Sequence, residues 1–277
     1  MATLTQRLDR ALKTTVLRSL RFNLRAKRMF TKRRRCLLVT CFPKSGSTFL
    51  VSALAESTGY IRQFLGYDHL NEQDLYLPSL IDTYNMNIVC HQHTRATAPN
   101  LALVTEFGIQ PIVLVRNIFD CLVSLRDHLG RESQRTPIFN ASDEFLAKPQ
   151  SDQFDELIDL VLPWYVNFFM SWKKAETGGM ELLWITYEDM MTDKAGTVRR
   201  VLDFYGTTQF IDRVDSAISR VVKGPDTRFN KGVSGRGEEQ LSADQRRRIT
   251  DRFRHYPDVD FSSIGIIPVH QRITSQA

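Results

Sequence analysis

The chain has 277 residues, 42% of them hydrophobic, a size and composition that suit one large unit with a full core. No run approaches the roughly 18 consecutive apolar residues that a membrane-spanning helix needs, and no signal peptide is visible. The net charge of +6 is uneven: residues 1–35 carry 12 Lys or Arg against one Asp, a net +11, which leaves the remainder at −5. The basic character therefore belongs to an arm. With no aromatic interleaving and no recognition-helix motif beside it, that charge argues against a nucleic-acid partner.

In chain order, Leu4, Leu8, Leu12, Val16, Leu20 and Leu24 recur every fourth residue among Arg and Lys. This spacing predicts an amphipathic basic helix that runs into Lys32-Arg33-Arg34-Arg35. Such an arm suits peripheral contact with an anionic membrane surface, packing on the body, or a transit segment. Residues 36–277 read as a single domain. Its first strand, Leu37–Cys41, ends at Phe42-Pro43, turns through Lys44-Ser45-Gly46-Ser47-Thr48 and enters a helix over Ser47–Ser57. A helix N-terminus behind a short turn aims unpartnered N–H groups and a positive dipole end at one point, which suits a phosphate-like anion. The nucleotide-triphosphatase pattern G-x-x-x-x-G-K-[ST] is absent, because Gly46 stands alone and Lys44 precedes it.

Further strands are expected over Asn87–His91, Ile112–Val115 and Leu182–Ile185, with helices over Asn100–Glu106, Ile118–Leu129 and Phe154–Thr177. The alternation argues for an α/β fold with a parallel sheet between helical layers. Gly130–Asp152 reads as a long loop, either a lid or substrate-contacting segment or plain disorder. Helices follow over Lys194–Tyr205, Gln209–Val222 and Ser242–Tyr256, and the tail from Asp258 carries no readable chemistry. Cys36, Cys41, Cys90 and Cys121 lack C-x-x-C spacing and read as free thiols of a reducing compartment such as the cytoplasm.

Two other strand ends carry chemistry. Arg116 closes the Ile112–Val115 strand, and Ser124 follows eight residues later, about two helical turns on. An Arg there lies in the crevice where open α/β sheets bind ligands, and its guanidinium fork fits a phosphate dianion. Asp120, between them, is expected to cap or pair locally. His91 and His93 end the second strand and face the same side by alternation. A neutral imidazole there suits a general base. The same H-x-H beside Cys90, with His69 nearby, also fits a zinc site or a structural histidine; no metal is expected.

Pro43-Lys44-Ser45-Gly46-Ser47-Thr48-Phe49 resembles the 5′-phosphosulfate loop of the sulfotransferase family, P-K-S-G-[ST]-[TS]-[WF]. Arg116-Asn117-x-x-Asp120-x-x-x-Ser124 is similar to the family's 3′-phosphate motif, R-N-x-x-D-x-x-x-S. Tyr187-Glu188-Asp189-Met190 is similar to its Y-E-D-[ML] strand end, and Lys231-Gly232-x-x-Gly235 to its R-K-G-x-x-G loop, with Asn230 in place of the Arg and Arg228 nearby. The resemblance runs from about Leu37 to Tyr256 and is thin between Glu56 and Ile88. It implies a P-loop nucleoside-triphosphatase-like three-layer fold and a donor, 3′-phosphoadenosine 5′-phosphosulfate (PAPS), used without metal.

By the same resemblance, Lys44, Ser45, Gly46, Ser47 and Thr48 would hold the 5′-phosphosulfate, and Arg116, Ser124, Lys231 and Gly232 the 3′-phosphate. Tyr187 and Phe49 would flank the adenine, and His93 would take the proton of an acceptor hydroxyl or amine. His91 stands where the family carries Lys, which leaves Lys44, or protonated His91, to neutralise the transferring group. Some family members use a Glu as base, but no Glu here can be placed in the site from sequence. The acceptor, whether a small molecule, glycan or lipid, would be chosen by residues 60–86 and 130–152, where no motif speaks. Two alternatives stand beside this: a P-loop kinase-like phosphotransferase, and a non-catalytic nucleotide- or membrane-surface-binding protein.

Overall fold

A computed structural model describes residues 4–30, 34–68, 72–223 and 234–267. The strands in chain order are Cys36–Cys41 (β1), Ile61–Arg62 (β2), Ile88–Gln92 (β3), Ile112–Val115 (β4), Arg135–Thr136 (β5), Phe139–Asn140 (β6) and Leu183–Thr186 (β7). β5 and β6 pair only with each other, antiparallel. The other five form one sheet in the order β2-β3-β1-β4-β7, every neighbouring pair parallel. The helices are Leu4–Phe30 (α1), Ser47–Thr58 (α2), Leu77–Asp82 (α3), Ala98–Glu106 (α4), Ile118–Arg131 (α5), Asp143–Ala147 (α6) and Gln150–Leu160 (α7). They continue with Leu162–Thr177 (α8), Tyr187–Thr192 (α9), Lys194–Phe204 (α10), Val214–Lys223 (α11), Arg236–Gln240 (α12) and Ala243–Phe253 (α13).

β1 and β4 are near-continuous apolar runs because helices cover both faces of the sheet. On one face Phe42, Val113 and Val115 pack with residues of α5, α7 and α8, among them Leu122, Leu157, Phe168 and Trp172. On the other, Leu37, Val39, Leu114 and Ile185 pack with Leu50 and Leu54 of α2 and with Val198, Val201 and Leu202 of α10. A third cluster joins Leu38, Ile88 and Cys90 to Leu80, Val104 and Leu24 of α1. The result is the three-layer α/β arrangement, a central parallel sheet between helices, expected from the alternation.

The predicted Phe154–Thr177 helix is two helices, broken at Val161 with Pro163 in the first turn of α8, where a missing N–H is harmless. Gly130–Asp152 is not one loop: it holds the end of α5, the β5–β6 hairpin, α6 and the start of α7. The stretch predicted as one helix over Gln209–Val222 is a 3-10 turn, Thr208–Arg213, followed by α11. Short elements with too few residues to show a period, β2, α3 and α9, are absent from the sequence prediction. Residues of the arm form α1, which ends at Phe30, short of Lys32-Arg33-Arg34-Arg35, and its C-terminal half packs on the body: Leu24 is buried, and Lys27 Nζ donates to Ile81 O at 2.7 Å. Leu12, Val16, Leu17, Phe22, Met29 and Phe30 stay exposed.

Candidate active site

The C-terminal ends of four adjacent strands converge on one crevice, and each delivers a different group: β1 the Lys44 loop, β3 His93, β4 Arg116 and β7 Tyr187. The strand connections diverge on either side of β1, the place where open parallel sheets leave room for a ligand. The β1 loop is shaped by two left-handed residues. Lys44, at φ 69°, is the one non-glycine with positive φ among the described residues, and Gly46 follows at φ 83°. A non-glycine residue in that region persists only where its surroundings impose it. Here Ser45 Oγ donates to Phe42 O at 2.7 Å, Tyr165 Oη donates to Pro43 O at 3.2 Å, and Arg116 Nη1 donates to Lys44 O at 3.1 Å.

Gly46 is required twice over. Besides its φ, a Cβ there would lie 2.9 Å from both Tyr187 Cδ2 and Met190 Cε. It is also the N-cap of α2 and leaves that helix without a side-chain cap. The first turn therefore keeps donors and a positive dipole end for an anion, which is the fit that a phosphosulfate group needs.

Arg116 is 6% exposed. Its guanidinium carbon stacks 4.1 Å above the Tyr187 ring, and Nη2 lies 3.8 Å from Asp120 Oδ2. Asp120 does more than pair locally. It accepts from Gly235 N at 2.9 Å and from Gly237 N at 2.8 Å, clasping the start of α12 to α5. A Cβ on Gly237 would come within 2.3 Å of Phe119 Cβ, so only glycine allows this approach. Two turns further on, Asp127 pairs with Arg236. Burial raises the Asp127 carboxyl, but the bonds from Arg236 and Arg126 outweigh it and hold the group below its ordinary range. Buried Ser124 lies between Asp120 and Asp127 on this stripe of α5, at the spacing that puts all three on one face.

Asn117 caps α5 by accepting from Phe119 N at 3.0 Å, and its own N–H donates to Glu188 Oε1 at 3.1 Å. Thr186 caps α9 in the same way, accepting from Asp189 N at 3.0 Å. The bond from Asn117 to Glu188 ties the β4 end to the β7 end. Tyr187 is thereby a buried platform under Arg116, and Phe49 is buried in the core beside β1. Lys231 and Gly232 lie outside the described residues, as do Arg228, Asn230 and His69.

β3 runs one residue further than predicted, and His93 is the first residue beyond it. The turn carrying it is fixed by Thr94 O, which accepts from Thr40 Oγ1 at 2.6 Å and from Trp172 Nε1 at 2.9 Å. His93 Nδ1 is 2.9 Å from Cys41 O. A carbonyl only accepts, so Nδ1 carries the hydrogen and Nε2 holds the lone pair. Nε2 lies 3.5 Å from Glu72 Oε2, a contact absent from the sequence reading. Burial pushes the imidazole down to about 4 and the Glu72 carboxyl up to about 7. The neighbouring Cys41 thiol is pushed up to about 12 by burial, which makes it a poor nucleophile. Among the described residues, no three His, Cys, Asp or Glu gather as metal ligands.

The family model for the sulfotransferase domain matches residues 34–256. The chain belongs to the sulfotransferase family. Flavonol 4′-sulfotransferase of Flaveria chlorifolia is 24% identical over 215 residues, which cover 72% of this chain and 64% of the relative's length. Among solved structures, mouse sulfotransferase SULT7A1 complexed with PAP matches with a TM-score of 0.59 at 17% identity, over 87% of this chain and 91% of that one. Retinol dehydratase in complex with androsterone and inactive cofactor PAP matches with a TM-score of 0.54 at 13% identity, over 82% of each chain. At these identities the structural likeness speaks for the fold. Family membership accounts for a loop with Lys44 ahead of a single glycine, and the kinase-like alternative has no such support.

Proposed function

We propose that this sulfotransferase moves a sulfuryl group from PAPS to a hydroxyl or amine of a small acceptor, with Lys44 and His93 as its catalytic residues. One observation carries the proposal: an uncapped helix N-terminus, a lysine, a buried arginine and an imidazole whose Nε2 holds the lone pair meet at the ends of β1, β4 and β3. The amides of Gly46, Ser47 and Thr48, with Ser45 bracing the turn, suit the 5′-phosphosulfate. Arg116 and Ser124, with Lys231 and Gly232, suit the 3′-phosphate. Tyr187 and Phe49 border the adenine side.

In the reaction the acceptor oxygen forms its bond to sulfur as the bond from sulfur to the 5′-phosphate oxygen breaks. The electron pair leaves on that phosphate oxygen, where Lys44 offsets the growing charge. The acceptor proton passes to His93 Nε2. No step calls for a metal ion.

PAP in the structural relatives supports a donor of this class. The flavonol in one relative's name, and the androsterone and retinol bound by retinol dehydratase, favour a small apolar hydroxyl compound over a glycan or lipid acceptor. The exposed apolar and basic residues of α1 support peripheral contact with an anionic membrane through residues 1–35, and the free cysteines support the cytoplasm. Incubation with radiolabelled PAPS and a panel holding a flavonol, androsterone and retinol tests the proposal. Label transfer that persists in EDTA is expected. Tight PAP binding with no transfer to any acceptor, or to a crude cell extract, would favour the non-catalytic alternative.

A further inference from the structure

The contact between Glu72 and His93 follows from no motif, and its surroundings are built. Thr94 Oγ1 donates to Glu72 O at 3.5 Å, on the turn that carries His93. The next residue, Gln73, is held on three sides. Trp164 Nε1 of α8 donates to its Oε1 at 2.7 Å, its Nε2 donates to Pro137 O at 2.8 Å, and Asn100 Nδ2 of α4 donates to its carbonyl at 3.2 Å. The same Trp164 ring stands edge-on to the His93 ring, with centroids 6.4 Å apart. One indole thus contacts His93 and the residue that follows Glu72. The two side chains are 12% and 18% exposed, so little water competes for them.

We propose that Glu72 and His93 work as one proton-sharing pair, in which Glu72 is the positioning residue: it enters the reaction as the carboxylate and stands beside the imidazolium that forms when His93 Nε2 takes the acceptor's proton. This rests on the transfer reaction proposed above. Because Nδ1–H is spent on Cys41 O, Nε2 and Oε2 face each other as two acceptors 3.5 Å apart, an arrangement that one proton on either atom relieves. With one proton aboard, the pair cannot take another from an acceptor. With none, Nε2 is open, and the imidazolium formed in the reaction sits beside a carboxylate.

The charged and titratable groups facing the pair have a consistent sense. The Cys41 thiol from β1 stays neutral and Lys44 from the loop repels a protonated imidazole, while α8 presents the Trp164 indole. The carboxyl, pushed up to about 7, then holds the last proton, and His93, pushed down to about 4, is left neutral.

Nuclear magnetic resonance of the PAP-bound protein tests this without needing the acceptor. Histidine nitrogens and the Glu72 side-chain carboxyl carbon are followed through the neutral pH range. His93 and Glu72 are expected to report one common midpoint near neutrality, with His93 keeping its hydrogen on Nδ1, and Glu72→Gln is expected to abolish the inflection at His93. Separate midpoints in the wild-type protein, with Glu72 titrating in the ordinary carboxylate range, would overturn the pair even if the variant failed to fold. Calorimetry with PAP runs alongside. Failure of the wild-type protein to bind PAP would strike at the transfer reaction, whereas binding with uncoupled titrations strikes at the pair alone.

Discussion

The Lys44 half of the crevice is held by main-chain geometry, whereas the His93 half is held by side chains drawn from distant parts of the chain. Around Lys44 the determinants are two left-handed residues, an uncapped helix start and carbonyls that receive Ser45, Tyr165 and Arg116. Such features need particular residues at fixed spacing, because only certain side chains tolerate the turn. Around His93 the determinants are Glu72, Gln73, Asn100, Pro137 and Trp164, joined across gaps of up to 91 residues. On the function proposed above, the first half would hold the donor and the second would face the acceptor.

Substitutions sharpen this division. His93→Ala is expected to lower kcat by about 10²–10⁴, the range for a lost general base, with PAP affinity unchanged by calorimetry. Lys44→Ala should lower kcat by about 10²–10³, as for loss of a charge-stabilising donor, and a turnover close to wild type would remove Lys44 from the chemistry. Arg116→Ala should weaken donor binding by about 1.5–3 kcal/mol, the range for a hydrogen bond to a charged group. Arg116→Lys should restore only part of that, since the ammonium lacks the fork that spans Lys44 O and Asp120. Asp120→Asn, which weakens the clasp on Gly235 and Gly237, should reduce donor affinity severalfold while leaving kcat near wild type.

Glu72→Gln is read on stability, not on activity or donor affinity, and has the opposite sign. The folded carboxyl, raised by burial from its ordinary 4.5 to about 7, favours its protonated form. Native stability therefore declines as pH rises between those two values and stays reduced above them. Glutamine removes that penalty, so the variant should melt at a higher temperature than wild type above neutrality and lose the advantage in acid. An equal Tm at every pH would mean that Glu72 is not desolvated by its place beside His93.

The same division explains what the sequence made readable. Apolar runs bounded by Pro, Gly and Arg located the four longer sheet strands, and the loop and Arg116 were found because their chemistry is local. The Arg116–Asp120–Ser124 spacing was visible too, but not that Asp120 reaches Gly235, 115 residues on. Tyr187 was readable as a strand-end aromatic, yet its role under Arg116 depends on β4 and β7 being neighbours. Glu72 was the least visible. It follows a stretch without periodicity, and nothing near it in sequence marks it as different from Glu56 or Glu106. His93 marks a strand end at best; only the fold supplies its partner.

The central claim is that one ligand is gripped at two separated anionic ends, by the turn at Lys44 and by Arg116. Calorimetric comparison of 3′-phosphoadenosine 5′-phosphate with adenosine 5′-phosphate, on the wild-type protein and on Arg116→Ala, tests it most directly. The wild-type protein should strongly prefer the bisphosphate, and the variant should bind both nucleotides alike. Equal affinity of the wild-type protein for the two nucleotides would contradict the claim, as would a preference that survives the loss of Arg116.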